Sequence, residues 1–167
     1  GDFGALLKEP WVFDGRSRRP PQDPPNALLS LGYTFLLVRC QAALQIAGLD
    51  VDLGFFHTAH HGQPALTLDF MEPFRPLLVD GLVLQTLNGG LLSEGDFVAS
   101  AKRPCELTPT AFKTFIRLFE ERLATEFTPL GRSAPVTYSD YLLILAEELR
   151  TAFRQRDPLQ YAPHIRR

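Results

Sequence analysis

Two short stretches hold the residue types best suited to chemistry. The first is His57-Thr58-Ala59-His60-His61, and the second is Asp69-Phe70-Met71-Glu72-Pro73-Phe74-Arg75. Asp69 and Glu72 are spaced i, i+3, so a helix presents them on one face near its N-terminus. The extended segment before them can fold back and bring His57 alongside. One imidazole with one or two carboxylates suits Mg²⁺ or Mn²⁺, because a hard cation takes oxygen ligands and Mn²⁺ also accepts nitrogen. Such an ion could polarise a phosphodiester, activate a hydroxyl and stabilise a leaving oxygen. Arg75, one turn beyond Glu72, could bind phosphate or pair with Glu72. The same residues also have plainer uses. Acids in a first helical turn are favoured by the helix dipole without any metal. His57, His60 and His61 could bind zinc, although adjacent histidines in a turn are commonly solvated. His164 reads as a surface residue.

Arg16, Arg18 and Arg19 form a second candidate. Three guanidinium groups on a proline-stiffened strand could grip a DNA backbone, or could simply line a solvated loop. Arg150, Arg154, Arg156, Arg166 and Arg167 make the C-terminal end basic as well. There too the helix dipole alone favours cations.

Helices must position these groups. Phe3, Leu6 and Leu7 carry the i, i+3, i+4 stripe of an amphipathic helix, so residues 1–9 read as the tail of a helix that begins outside this sequence. A polar, basic, proline-rich connector follows at 14–25. Asp23 is placed to cap a helix with Pro24 in its first turn. That helix, 24–47, is apolar around most of its circumference, which predicts a buried central element ending at Gly48. Gly32 within it marks close packing against a neighbour. Residues 49–66 suit a loose hairpin or an extended loop. A second helix is predicted over 68–88, with Pro73 and Pro76 in its first turns and Gly89-Gly90 ending it. Thr108-Pro109 opens a third, to about 127. Thr137 with Asp140 resembles a capping box for the last, 138–155. The predicted fold is mainly α, with four substantial helices and at most a short hairpin.

Composition bounds the alternatives. The chain has 167 residues, of which 45% are hydrophobic and 22% charged, ordinary values for one globular domain rather than a disordered or collagen-like chain. No apolar run is read as approaching a membrane span, and no basic-then-apolar signal opens the sequence. The formal net charge is −2, so nucleic-acid binding would have to come from local basic clusters. Two cysteines, Cys40 and Cys105, without a C-x-x-C, read as free thiols of a reducing cytoplasm.

As a set, three blocks resemble a known family in order and spacing: GRSRRPPQDPPNALLSLGYTFLL, AGLDVDLGFFH and LTLDFMEPFRP. The most specific parts are PP-x-DP-x-NALLS-x-GY and LD-x-MEPFRP. The closing VTYSDYLLILAEELRTAFRQRDPLQYAPHIRR is similar to the same family's last helix and Tyr-x-Pro tail. The chain thus resembles, over nearly all its length, the CRISPR-associated integrase that is the universal subunit of the spacer-acquisition complex. The resemblance implies a β-rich N-terminal domain and a helical C-terminal domain with the active site. Residues 1–167 correspond to the second as a single helical catalytic domain. It implies Mg²⁺ or Mn²⁺ held by a Glu, a His and a second acid. The His matches His57 and the second acid Glu72, with Asp69 a supporting carboxylate and Arg75 a basic position of the same motif. The first Glu belongs to a Gly-x-Glu-Gly segment that precedes Gly1, and Glu9 does not replace it. The implied reaction is transesterification: a prespacer 3′-OH attacks a phosphodiester of the CRISPR repeat, with double-stranded and branched DNA as substrates. The implied partners are a small ferredoxin-like subunit and, in the full-length parent, a second copy, in a prokaryotic cytoplasm and without a membrane. A non-catalytic helical module that binds DNA or a partner is the alternative.

Overall fold

The computed structural model describes residues 3–17, 20–51, 65–100 and 103–155. Among these, five α-helices dominate: α1 (Pro24–Ile46), α2 (Ala65–Met71), α3 (Gly81–Asn88), α4 (Pro109–Leu123) and α5 (Tyr138–Gln155). Two small antiparallel sheets accompany them. One pairs β1 (Phe97–Ser100) with β2 (Arg103–Leu107), and the other pairs β3 (Glu126–Phe127) with β4 (Val136–Thr137). The chain divides into two compact units, residues 1–34 with 76–122 and residues 35–75 with 123–167.

The predicted caps form. Asp23 accepts the Asn26 N–H at 2.8 Å and so satisfies an orphan donor of the first turn of α1. At the other end Gly48, at φ +75°, donates to Gln45 O at 2.9 Å, and Leu49 N–H reaches Leu44 O at 3.0 Å. That pair of bonds needs a left-handed residue at Gly48. Thr137 and Asp140 form the capping box of α5, with Asp140 N–H donating to Thr137 Oγ1 at 3.0 Å. Thr108 Oγ1 accepts from Ala111 N–H at 3.3 Å at the start of α4. Leu28, Leu36, Cys40 and Leu44 of α1 are fully enclosed, but Val38 and Ile46 are exposed, so the helix is buried on one side rather than all round as its composition predicted. At 23 residues and a mean hydropathy of 1.5 in its most apolar window, α1 is nonetheless long and apolar enough to span a bilayer, contrary to the expectation that no run approaches that length.

In the unit of residues 1–34 and 76–122, a Cβ on Gly32 would sit 2.7 Å from Val79 Cγ1, so a glycine is needed for this approach. Residues 3–13 do not continue a helix. They contain one 3₁₀ turn, Gly4–Leu6, and then extend. The Asn88 amide holds them so, donating to Leu6 O and accepting from Lys8 N–H, both at 2.8 Å. Trp11 Nε1 donates to Leu87 O at 3.1 Å, and Phe3 packs edge-on against Phe13. The β1–β2 hairpin lies outside the 49–66 segment read as a possible hairpin, most of which lies outside the described residues. Its β2 strand is also tied to the connector, through Cys105 N–H to Pro21 O at 2.9 Å.

In the unit of residues 35–75 and 123–167, an aromatic cluster forms the core. Phe127 stacks on Tyr138 at 4.3 Å and meets Tyr141 edge-on at 5.2 Å, while Phe74 meets Tyr141 at 6.3 Å and Phe70 at 5.8 Å. This stack explains why α4 stops at Leu123 rather than near 127. Phe127 gains more from stacking in β3 than from one further helical turn.

Two measurements check this packing. Gly32→Ala should destabilise the protein by about 1–3 kcal/mol in urea unfolding, the usual cost of overpacking, and Val79→Ala in that background should recover part of the loss. Burial pushes the Cys40 thiol well above the ordinary thiol range. Its folded-state pKa is therefore raised, and the stability it contributes is full below the unfolded thiol value and is lost as pH rises. Stability should fall above about pH 8.5 by up to ~1.4 kcal/mol per pH unit from this group. Comparing the pH dependence of urea unfolding under reducing conditions for wild type and Cys40→Ala isolates that slope.

Candidate metal and phosphate site

The predicted helix over 68–88 is not a single α-helix. It starts earlier, at Ala65, and after Met71 passes through a 3₁₀ turn, Glu72–Phe74, and one π-turn, Arg75–Asp80, before α3. Pro73 and Pro76 are the cause. Each lacks an N–H and so cannot donate in the i→i−4 ladder. The Arg75 N–H instead closes the 3₁₀ turn on Glu72 O. Both prolines therefore sit in the interior of this helical stretch, not in its first turns.

This placement changes the reading of the acids. Asp69 is the fifth residue of α2, whose first turn contains no acid. The helix dipole, strong only in the first turn, does not account for Asp69 there. Asp69 is half-buried. Glu72 opens the 3₁₀ turn with its side chain about half exposed, and its Oε1 accepts from Arg75 Nη1 at 2.5 Å. Of the two roles open to Arg75, pairing with Glu72 is the one the structure shows. Phe70 and Phe74, buried on either side of Glu72 in sequence, anchor the turn in the aromatic core.

His57 lies outside the described residues, as do His60, His61 and His164. The two ends of the His57 segment are described. Leu66 N–H donates to Val51 O at 3.1 Å, which brings the chain on either side of residues 52–64 together at the start of α2. Among the described residues no group of three His, Cys, Asp or Glu side chains gathers as a metal site. Asp69 and Glu72 are nevertheless oxygen donors of the kind a hard divalent cation takes, so as a partial donor set they fit Mg²⁺ or Mn²⁺.

Of the basic candidates, Arg18 and Arg19 lie outside the described residues, as do Arg156, Arg166 and Arg167. Arg16 is half-buried, and its guanidinium points into the protein. Nη1 donates to Asn26 Oδ1 at 2.7 Å and Ser17 O at 2.8 Å, and Nη2 donates to Ser30 Oγ at 3.1 Å. It also lies 5.4 Å from the centre of the Tyr33 ring. Asn26, fully buried, uses its whole amide. Oδ1 accepts from Arg16 and from Ser17 N–H at 2.9 Å, while Nδ2 donates to Gly15 O at 2.9 Å and Asp23 Oδ2 at 2.8 Å. Asn26 and Tyr33 are fixed positions of the NALLS-x-GY block, but the sequence patterns assigned them no role and did not single out Asp80. The signal available for Asn26 was a lone amide at the start of an otherwise apolar run.

Comparison with known proteins places this arrangement. The family described as CRISPR associated protein Cas1 matches residues 1–121. A Cas4/Cas1 fusion, named a CRISPR-associated exonuclease/endonuclease, from Geobacter sulfurreducens is 51% identical over 116 residues, which is 70% of this chain and 21% of that protein. The CRISPR-associated endonuclease Cas1 3 of Thermus thermophilus is 46% identical over 147 residues, 88% of this chain and 44% of its own length. The chain thus spans less than half the length of these relatives. Among solved structures, a Cas6-RT-Cas1–Cas2 complex matches 99% of this chain and 18% of its own with a TM-score of 0.83 at 29% identity. A casposase bound to integration product matches 98% of this chain and 47% of its own with a TM-score of 0.84 at 24% identity, a likeness of fold alone. On the family match and on relatives at this identity, the chain belongs to the Cas1 family.

Proposed function

We propose that residues 1–167 are the helical catalytic domain of a metal-dependent DNA integrase and endonuclease that inserts spacers into a CRISPR array. The observation that carries this reading is the placement of Asp69 and Glu72. They lie one turn apart in a helical stretch, away from its dipole-favoured start, beside the joined ends of the segment that holds His57. The chain length allows His57 to serve as a further ligand. It lies six residues from Val51, a span of up to ~20 Å when extended. Glu72 lies six residues beyond Leu66, or about 9 Å along a helix.

In this reading His57 and Glu72 hold Mg²⁺ or Mn²⁺, with Asp69 as the supporting carboxylate. When bound, the ion supplies Lewis-acid stabilisation of charge at the phosphodiester under attack. Arg75 holds the Glu72 carboxylate in one place and is itself the group nearest to meet a DNA phosphate. Arg18 and Arg19 supply sequence-independent phosphate contacts, and Arg16 anchors the connector that carries them. The name of one structural neighbour, a Cas6-RT-Cas1–Cas2 complex, supports a further Cas subunit as partner; in this reading that subunit is small and ferredoxin-like, a second copy of the full-length protein joins it, and double-stranded and branched DNA are the substrates. The setting is the prokaryotic cytoplasm.

In the full-length protein, Glu72→Ala or His57→Ala should lower Mn²⁺-dependent joining of DNA 3′-OH ends by several orders of magnitude with little change in thermal unfolding. Wild-type joining by Glu72→Ala would remove the metal assignment and leave a non-catalytic DNA- or partner-binding module. The 167-residue chain alone should bind Mn²⁺ weakly and join no ends, because two protein ligands leave the ion mostly hydrated. Replacing Arg18 and Arg19 by Ala should flatten the salt dependence of DNA affinity by about 0.9 for each phosphate no longer neutralised. Arg16→Ala should lower the unfolding temperature and leave that slope unchanged. A flattened slope for Arg16→Ala would instead place this guanidinium on the DNA.

A further inference from the structure

The turn that carries Glu72 has little to hold it from within. Glu72–Phe74 is a single 3₁₀ turn closed by the Arg75 N–H on Glu72 O, and Pro73 inside it has no N–H with which to add a second bond. A 3₁₀ turn advances by about 120° per residue, so side chains three apart eclipse. Glu72 and Arg75 therefore point the same way, as their ion pair requires, and Phe74 points about 120° away from both. Burial follows that division. Phe74 is fully buried, while the side chains of Glu72 and Arg75 are 52% and 26% exposed. Wherever the Phe74 ring is seated, the direction of the Glu72 carboxylate is set with it.

Phe74 meets two rings among the described residues. Phe70 belongs to the same helical stretch and turns with it. Tyr141 comes from α5 and refers the turn to the rest of its unit. Its own place is fixed in three ways. The capping box of Thr137 and Asp140 starts α5 just before it. Phe127 meets it edge-on at 5.2 Å and is itself backed by the stacked Tyr138 ring. The Arg132 guanidinium lies 5.9 Å from its ring centre and pairs with Glu148, about two turns further along α5. All of these groups belong to the unit of residues 35–75 and 123–167. We propose that Tyr141 is a positioning residue for the candidate site: its ring seats Phe74 and so sets the direction in which the turn presents Glu72 and Arg75. Arg132, across the same ring, supports the seat. The metal part of this inference rests on the integrase reading above.

The test uses the full-length protein with Tyr141→Leu, Tyr141→Phe, Arg132→Met, Leu149→Ala and Glu72→Ala. Two quantities are measured: amide hydrogen exchange across residues 72–75, and Mn²⁺ binding followed by the electron-paramagnetic-resonance signal of free Mn²⁺. Tyr141→Leu should weaken Mn²⁺ binding by about two- to tenfold, the worth of one aromatic pair, and speed exchange by a similar factor. Tyr141→Phe keeps the ring and should stay near wild type in both. Arg132→Met should move both quantities in the same direction as Tyr141→Leu, by a smaller factor. Leu149→Ala empties core volume about two turns along the same helix and should lower the unfolding temperature without altering Mn²⁺ binding. Wild-type exchange in Tyr141→Leu overturns the seat; if that variant does not fold, wild-type values in Arg132→Met overturn it. An equal loss in Tyr141→Phe assigns the effect to the hydroxyl and overturns the ring as the seat. An equal loss of Mn²⁺ binding in Leu149→Ala makes the effect one of general stability and overturns the positioning role, as does faster exchange with unaltered, Glu72-dependent Mn²⁺ binding. Mn²⁺ binding indifferent to Glu72→Ala removes the metal reading instead, and the exchange measurement still decides whether Tyr141 seats the turn.

Discussion

Two imino acids three residues apart control the geometry of the candidate site. Pro73 and Pro76 each withdraw an N–H from the helical ladder, and an unbroken α-helix from Ala65 to Asn88 is therefore impossible. The chain resolves this with a tight turn followed by a wide one, and Glu72 and Arg75 sit at the two openings. The disruption is stabilised by what surrounds it. Phe70 and Phe74 are buried in the aromatic core of residues 35–75 and 123–167.

The second organising feature is the amide of Asn26. A buried primary amide has two donors and two acceptor sites, and leaving any of them unmet is costly. Here all four are used, joining Asp23, Gly15, Arg16 and Ser17. The proline-rich connector is thereby fastened to the first turn of α1 rather than left as a solvated loop. Arg16 contributes to this network with its planar fork and covers Tyr33 with its face. A lysine in its place could not reach Asn26, Ser17 and Ser30 at once.

Much of the architecture was legible in the residues. Three long helices, their caps at Asp23, Thr108 and Thr137, the glycine terminations at Gly48 and Gly90, and the close approach at Gly32 follow from local rules that act within a turn or two. The Cas1 family was legible too, because the family's blocks are contiguous runs that need no folding to be read. The spacing of the two carboxylates was enough to pick them out. Their position in the interior of the helical stretch was not legible, because periodicity and capping signals place the start of that helix three residues late.

What the sequence by itself determined is what local chemistry decides: where helices are capped, which acids lie one turn apart, and which apolar stripes call for burial. The tertiary structure decided whatever depends on a partner distant in the chain. Phe3, Leu6 and Leu7 carry a helical stripe yet the chain leaves the helix after one 3₁₀ turn, because Asn88 offers it both a donor and an acceptor. Phe127 leaves its helix because Tyr138 and Tyr141 offer a stack. Asp80, on a helix, turns its carboxylate to a phenol 47 residues away in sequence. In each case a local preference worth about 1 kcal/mol or less per residue was outweighed by an interaction that exists only once the chain has closed on itself.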